Sequence, residues 1–88
     1  MIETTIEIVN KAGLHTRPSA TIVKIASKHK SEFFISKDGL RINGKSIIGV
    51  MTLAAGFGSK LHLEFNGPDE EELSKEIIDC FKRGFDEL

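Results

Sequence analysis

The residues best suited to chemistry lie between positions 13 and 18, where the chain reads Gly-Leu-His-Thr-Arg-Pro. His15 stands just before a predicted helix, whose first N–H groups have no intrahelical acceptor and attract anions. Arg17 adds a planar guanidinium that matches the oxygens of a phosphate group. A histidine in this position can act as a nucleophile that accepts a phosphoryl group and releases it again. The local pattern leaves a second interpretation open, in which His15 is a surface residue of a loop and Arg17 is merely solvated.

A second segment, residues 39–46, matches the nucleotide-binding P-loop pattern G-x-x-x-x-G-K-[ST] at every letter. A P-loop requires a buried parallel strand before it, a long helix after it and an acidic residue for magnesium. Here Asp38-Gly39 is typical of a hairpin turn, and the helix that follows is short and interrupted by Gly49. We therefore expect no nucleotide site, and keep a small nucleotide-binding domain that uses Lys45 and Ser46 as a rival function.

The segment after this motif combines a helix cap with apolar residues. Ser46 is a suitable N-cap for a short helix over 47–53, where its hydroxyl contributes about 1 kcal/mol. Ile47, Ile48 and Met51 cannot all face inward, because successive helical residues point about 100° apart. An exposed apolar patch marks a docking site, and methionine suits a surface used by several partners. The alternative is that all three side chains pack in the core.

Charge is distributed unevenly along the chain. Residues 1–60 hold nine basic and four acidic side chains, net +5, and residues 61–88 hold three basic and nine acidic, net −6, for a total of −1. A near-neutral chain with a basic front section favours an acidic protein partner or a phosphate group over nucleic acid. Arg17, Lys24 and Lys45 are candidates for a basic rim that steers acidic partners.

Periodicity predicts the elements that position these residues, in the order β-α-β-β-α-β-α within a single domain over residues 1–88. One sheet with helices packed on one face buries all the apolar faces. The predicted elements are a strand over 2–8, a helix with Thr16 as N-cap and apolar residues up to Ala26, strands over 32–37 and 40–42, a short helix over 47–53, a strand over 60–65 and a helix opened by Pro68-Asp69.

The last helix has the clearest pattern. Asp69 and Glu72 have the spacing of a capping box, and residues 70–72 place three carboxylates in the positive first turn. Cys80 lies beside the apolar stripe of this helix and is most simply a small buried residue. The stripe consists of Leu73, Ile77, Phe81, Phe85 and Leu88.

Several classes of protein are excluded by what the sequence lacks. A lone cysteine allows neither an intrachain disulfide nor a cysteine-based zinc cluster, and His15, His29 and His62 have no metal-ligand spacing. The N-terminus has neither the basic start nor the apolar run of a signal peptide. The uncharged stretch that ends at Ser59 is shorter than the roughly 18 apolar residues of a membrane span. We expect a cytoplasmic protein without membrane insertion.

Two separated motifs together make the chain resemble the HPr family of histidine-containing phosphocarriers. The first is the segment 13–18, and the second is Gly-Lys-Ser-Ile-Ile-Gly-Val-Met-Thr-Leu at 44–53. The resemblance runs over essentially all 88 residues. It implies an α+β open-faced β-sandwich, in which three helices cover one face of a four-stranded antiparallel sheet. It also implies that His15 takes a phosphoryl group from phospho-enzyme I and delivers it to enzyme IIA domains during phosphoenolpyruvate-dependent sugar uptake, with Arg17 steadying the group and without a cofactor.

The resemblance carries further expectations. Ser46 is the site that an HPr kinase/phosphorylase modifies in some bacteria, with a transcriptional regulator as a further partner, and a role as helix cap alone stays open. Some relatives lack the phosphorylatable histidine and only regulate. Because this chain has His15, we do not expect it to be one of them. We expect a monomer with no nucleic-acid partner. The chain departs from the common family pattern at Gly44 and Pro68, and neither residue is expected to touch the phosphoryl site. A ferredoxin-like interaction module without chemistry is the remaining rival. The expected docking residues are Thr16, Ala20, Lys24, Ile47, Ile48 and Met51.

Overall fold

The structure is a computed structural model that describes residues 1–87. Its elements follow in the predicted order, and a 3-10 turn comes after the last helix. The bounds are β1 Ile2–Glu7, α1 Thr16–Ser27, β2 Glu32–Lys37, β3 Leu40–Asn43, α2 Ile47–Thr52, β4 Lys60–Asn66, α3 Glu70–Lys82 and the 3-10 turn Gly84–Asp86.

The four strands form one antiparallel sheet in the order β1-β4-β2-β3. β4 lies in the centre and pairs with β1 on one side and β2 on the other. Asp38 and Gly39 join β2 to β3 with φ angles of 50° and 84°. Two consecutive residues with positive φ form the tight hairpin turn that an Asp-Gly pair favours. The predicted hairpin is therefore confirmed.

One face of the sheet is buried beneath the helices. Alternate residues of β2 and β4 point into the core, where the rings of Phe33 and Phe65 stack with their centroids 4.7 Å apart. The helices close this face with apolar residues of α1 and α3, which confirms the α+β open-faced sandwich. The fully buried residues of this interface are Ile22, Phe33, Ile35, Leu61, Leu63, Phe65, Leu73, Ile77 and Phe81.

The end of the chain departs from the predicted continuous helix. α3 stops at Lys82, and the backbone turns at Gly84 and Phe85, whose φ angles are 62° and 55°. Phe85 is nevertheless buried and packs edge-on against Phe81, with the centroids 4.9 Å apart. Leu88, the predicted last member of the stripe, lies outside the described residues. The turn redirects the chain after Phe85 toward α1.

Two predicted helix caps are wrong in detail. His15, and not Thr16, occupies the N-cap of α1, without a side-chain hydrogen bond to that helix. Asp69 occupies the N-cap of α3, but its carboxylate accepts hydrogen bonds from Ser31 and Lys30 and does not cap its own helix. The capping box with Glu72 is absent from the described contacts, because the backbone leading into β2 takes the carboxylate instead.

Gly44 is held in a tight contact that explains its presence. Its N–H donates to the carbonyl of Phe33 at 2.7 Å. A Cβ at this position would lie 2.2 Å from the ring of Phe33, which is itself stacked on Phe65. A larger residue would have to displace the aromatic core, so glycine suits this packing.

Candidate functional site

His15 projects from a backbone that the tertiary structure holds in place. The N–H of Leu14 donates to the carbonyl oxygen of Ala55 at 2.9 Å. Gly13 has a φ of 69°, and a Cβ there would lie 2.5 Å from that same oxygen. The loop before α1 is thereby fixed against the loop after α2, and this contact requires glycine at position 13. The imidazole of His15 stands at the surface with 40% of its side chain exposed.

The start of α1 presents hydrogen-bond donors beside this imidazole. The first α1 bond runs from the N–H of Ser19 to the carbonyl of His15. The N–H groups of Thr16 and Arg17 come before it and have no intrahelical acceptor, and Pro18 has no N–H. The first turn contains no acidic residue. The positive end of the helix is thus open to an anion.

Arg17 adds a full positive charge to the same corner. Its side chain is exposed, and within residues 1–87 it forms no ion pair. Its charge nevertheless reaches the site, because it contributes to the lowered pKa of the Glu87 carboxyl. The guanidinium is therefore available for an external anion, as the sequence predicts.

Glu87 is a site residue that the sequence analysis missed. Both of its carboxylate oxygens lie within 3.0 Å of Nε2 of His15. The hydrogen bond with His15 is the largest cause of the lowered pKa of this carboxyl, and a bond from Asn10 also contributes. An ionised carboxylate can only accept, so Nε2 is the donor in this contact, and in the neutral ring the lone pair is then on Nδ1. Glu87 is 72 residues from His15 in the chain, and no local spacing connects the two.

The helix α2 presents an apolar surface. The hydroxyl of Ser46 accepts a hydrogen bond from the N–H of Gly49 at 3.1 Å, which confirms its predicted role as the cap. Ile48 is 82% exposed, and Ile47 and Met51 are also exposed. Val50 is the residue of this helix that enters the core. The prediction of outward-facing apolar residues on this helix is confirmed.

The remaining predicted docking residues lie on α1. Thr16, Ala20 and Lys24 are all exposed, and their spacing of four places them on one face of that helix. Lys45 does not belong to the expected basic rim, because its ammonium donates to the carbonyl of His29 at 2.8 Å. Phe57, in the loop that fixes the His15 backbone, is an exposed aromatic residue that the sequence analysis did not single out.

The chain is similar to known proteins over nearly its whole length. The profile of the family described as "PTS HPr component phosphorylation site" matches residues 2–83. The phosphocarrier protein HPr of Treponema pallidum is 44% identical over 87 residues, which cover 99% of each chain. A crystal structure of HPr from Thermoanaerobacter tengcongensis has a TM-score of 0.96 at 44% identity, covering 100% of this chain and 99% of that one. A crystal structure of an HPr dimer from the same organism has a TM-score of 0.77 at 45% identity, covering 97% and 98%.

The chain belongs to the HPr family. It is therefore a phosphocarrier of the phosphotransferase system, a carrier of a phosphoryl group and not an enzyme. The resemblance stated from the two motifs is confirmed. Within the HPr fold, the matched region includes the histidine loop, α2 and the whole of α3.

The P-loop pattern does not form a phosphate-binding loop in this HPr fold. Gly39 lies in the hairpin turn, and residues 40–43 form an edge strand that pairs antiparallel with β2. The N–H of Lys45 donates to the side chain of Asn43, and its ammonium is bound to a backbone carbonyl. The nucleotide interpretation fails because the segment is already part of the sheet and of the cap of α2.

The other two histidines have structural partners. His29 is nearly buried and contacts the carboxylates of Asp69 and Glu76, and His62 contacts Glu3 on the open face of the sheet. Across residues 1–87, no cluster of potential metal ligands is found. In the same part of the chain, no helix has the length and apolar character needed to cross a membrane.

Proposed function

We propose that this phosphocarrier holds its phosphoryl group on Nδ1 of His15, receives it from enzyme I and passes it to enzyme IIA domains. The observation that carries the proposal is the placement of the imidazole, with Nε2 bound to Glu87 and the ring beside the open N-terminus of α1. The nitrogen with the free lone pair is the nucleophile. The N–H donors and the Arg17 guanidinium are the groups that would receive the phosphoryl oxygens.

The transfer balances without any proton moving on the ring. The lone pair of Nδ1 forms a bond to phosphorus, and the bond from phosphorus to the donor's leaving atom breaks with its electron pair staying on the donor. The ring then carries a positive charge, with phosphorus on Nδ1 and hydrogen on Nε2. In the onward step an acceptor atom attacks phosphorus and the Nδ1–P electron pair returns to the ring. Arg17 and the helix N–H groups stabilise the charge on the phosphoryl oxygens in both steps.

The test is incubation with phosphoenolpyruvate and enzyme I, followed by intact mass measurement. We expect one added phosphoryl group, labile in acid and stable in base, which His15→Ala abolishes. Arg17→Ala is expected to slow transfer by about one to two orders of magnitude, since a charge-assisted hydrogen bond is worth about 1.5–3 kcal/mol. Arg17→Lys restores only part of the rate, because an ammonium lacks the planar fork. Labelling that persists in His15→Ala, or no labelling of the unmodified protein, overturns the assignment.

We also propose that the exposed faces of α1 and α2 form the docking surface for these partners. Its support is the exposure of apolar residues on α2 beside the basic residues Arg17 and Lys24 on α1. Phe57 extends this surface, because the loop that carries it is hydrogen-bonded to the His15 loop through Ala55. A partner with acidic residues around an apolar centre would complement it.

The docking proposal is tested by placing a charge in the patch. Ile48→Asp is expected to weaken binding to enzyme I about tenfold or more while the melting temperature stays nearly unchanged, because this side chain is 82% exposed. Val50→Asp is the matched control on the same helix and is expected to unfold the protein, since Val50 is fully buried. Calorimetric titration with enzyme I measures the affinity. Unchanged affinity for Ile48→Asp would show that docking occurs elsewhere.

Ser46 is proposed as a regulatory phosphorylation site for an HPr kinase/phosphorylase, with the phosphorylated form available to a transcriptional regulator. What supports this is that the hydroxyl is exposed and lies next to Ile47 at the edge of the docking surface. We propose further that the protein resides in the cytoplasm, which its free thiol at Cys80 supports, and that it works there as a monomer. Because an HPr dimer is known from a relative, light scattering across a range of concentrations is the appropriate test of the monomer.

A further inference from the structure

The carboxylate of Glu87 occupies a position that the family assignment alone does not explain. It lies against Nε2, the ring nitrogen of His15 that does not take the phosphoryl group in the proposed function, with both oxygens within hydrogen-bond distance. Only 13% of the Glu87 side chain is exposed. Glutamate side chains are mostly exposed, so this burial requires a cause.

The cause is the turn that ends the chain's last helix. Phe85 and Asp86 both have positive φ angles, 55° and 60°, which non-glycine residues adopt only when the surroundings hold them there. The buried ring of Phe85 anchors the turn against Phe81. The side chain of Asp86 is tied to Arg83 at 3.2 Å. These contacts bring Glu87 back across the molecule to the start of α1.

Asn10 provides a second, independent support for the carboxylate. Its side chain is fully buried, and its amide nitrogen donates both to the carbonyl of Gly13 at 2.9 Å and to Glu87 at 3.1 Å. Because both partners are acceptors, the amide can only face them with its NH₂ group. Its oxygen is consequently left without a hydrogen-bond partner among the described residues. Burying an unpaired oxygen is unfavourable. Asn10 therefore forms its hydrogen bond to Glu87 at the cost of leaving its own side-chain oxygen without a donor within residues 1–87.

We propose that Glu87 is a positioning residue of the phosphoryl transfer. Resting on the proposed function of His15, the inference is that its carboxylate keeps the proton on Nε2 and stabilises the positive charge that the ring gains when Nδ1 bonds to phosphorus. Asn10 links the carboxylate to the loop that carries His15 and thereby fixes the distance between them. A carboxylate behind a histidine has the same two effects, orientation and charge stabilisation, in enzymes that use a histidine as a base.

The charged groups around the ring support this assignment. Glu87 comes from the C-terminal turn and Arg17 from α1, while Lys11, in the loop before α1, is exposed. The loop over 54–58 that packs against this site has no titratable side chain. The pKa of Glu87 is lowered, first by the hydrogen bond from His15, so the carboxylate stays ionised through the neutral range. Glu87 is the one negative group that contacts the ring within residues 1–87.

The first arm of the test uses the unphosphorylated protein and does not depend on any partner. Nitrogen-15 spectra of the His15 ring, recorded where the ring is uncharged, are expected to show the proton on Nε2 and a visible Nε2–H resonance. Glu87→Gln retains an acceptor and should keep this state, whereas Glu87→Ala should lose the resonance to exchange with water. Identical ring spectra for the unmodified protein and Glu87→Ala would overturn the inference, whether or not His15 can be phosphorylated.

The second arm follows spontaneous hydrolysis of the phosphorylated protein from pH 5 to pH 9. A phosphorylated imidazole loses its phosphoryl group faster when the other nitrogen carries a proton, which Glu87 favours. On the alkaline side we expect Glu87→Gln to hydrolyse about two- to fivefold more slowly than the unmodified protein, with equal rates at acid pH. Asp86→Asn is the matched control, since it removes a neighbouring charge that contacts Arg83 and not His15.

The two arms separate the inference from the function on which it rests. Superimposed hydrolysis profiles for Glu87→Gln and the unmodified protein, or the same shift in Asp86→Asn, refute a specific role for Glu87 even though His15 is phosphorylated. If enzyme I fails to label His15 while the ring spectra behave as expected, the proposed function is refuted and the positioning of His15 by Glu87 stands.

Discussion

The N-termini of α1 and α3 differ in whether acidic side chains balance the positive end of the helix dipole. α3 begins with Asp69 and carries Glu70, Glu71 and Glu72 in its first turn, and the Glu70 carboxylate accepts the N–H of Gly67. α1 has no acidic residue in its first turn and no side-chain cap. A helix end that its own carboxylates neutralise serves stability, whereas one left positive attracts an anion from outside. The open end of α1 is therefore the one that suits the proposed phosphoryl transfer.

The open end of α1 is held by contacts other than a cap. An uncapped helix start loses about 1 kcal/mol relative to a capped one. The hydroxyl of Ser19 donates back to the carbonyl of Leu14 at 3.1 Å, and the loop before the helix is pinned to Ala55. The position is thus fixed by side-chain and loop contacts that leave the N–H groups of Thr16 and Arg17 available.

The largest effect is expected when α1 is given an acidic first turn like that of α3. Thr16→Glu places a carboxylate where we propose that the phosphoryl oxygens bind, and repulsion is expected to slow transfer from enzyme I about tenfold. The same charge should raise stability by about 0.3–1 kcal/mol, because it complements the helix dipole. Thr16→Gln controls for size. Equal transfer rates for both variants at low salt would show that the open helix end is not used.

The N-terminus of α2 is intermediate between the two, because it has a side-chain cap but no acidic residue in its first turn. Ser46→Asp is expected to raise the apparent KM for this protein in the enzyme I reaction about three- to tenfold, since the new charge must be desolvated beside Ile47 and Ile48. Melting temperature should stay level or rise slightly, because aspartate is also a good cap. Ser46→Asn is the neutral control with the same capping ability. High ionic strength should reduce the difference between the two variants, and a salt-independent difference would argue against electrostatic inhibition.

At the acidic end of α3, we expect an effect on stability and none on transfer. The pKa of Asp69 is held far below its ordinary value, mainly by the hydrogen bond from the Ser31 hydroxyl, with further bonds from two backbone N–H groups and His29. Asp69→Asn should lower the melting temperature by several degrees at pH 7 while transfer through His15 is unchanged.

The sign of the pH dependence follows from the depressed pKa. A carboxyl whose folded pKa is lowered stabilises the protein above its unfolded value, near 4, and loses this contribution as pH falls below it. The melting temperatures of the unmodified protein and Asp69→Asn should therefore converge as the solution is acidified below about pH 4. Asp79→Asn, which alters an exposed acid of the same helix, serves as the comparison and should change little. A constant gap across this range would contradict the role given to Asp69.

Local sequence accounts for most of the secondary structure and for the helix start that carries His15 and Arg17. The element order, the Asp38-Gly39 turn and the Ser46 cap depend on neighbours within four residues, and these predictions are confirmed. The prediction of one continuous last helix is wrong, because the chain turns after Lys82. The placement of His15 and Arg17 together at the start of α1 is decided equally locally. The same locality explains how the P-loop pattern could match letter by letter and yet fold as a strand and a cap, since a motif does not specify the sheet that surrounds it.

The tertiary structure decided which partner each polar side chain took. Asp69 has a capping-box spacing to Glu72 in the chain, but it bonds to Ser31, which is 38 residues away. Glu87 reaches His15 across 72 residues. Hydrogen bonds form over about 3 Å, and packing of the sheet and helices sets such distances between remote residues with no trace in local spacing. The proposed acceptor, His15, is therefore readable from six consecutive residues, while its contact with the Glu87 carboxylate exists only once the chain has folded.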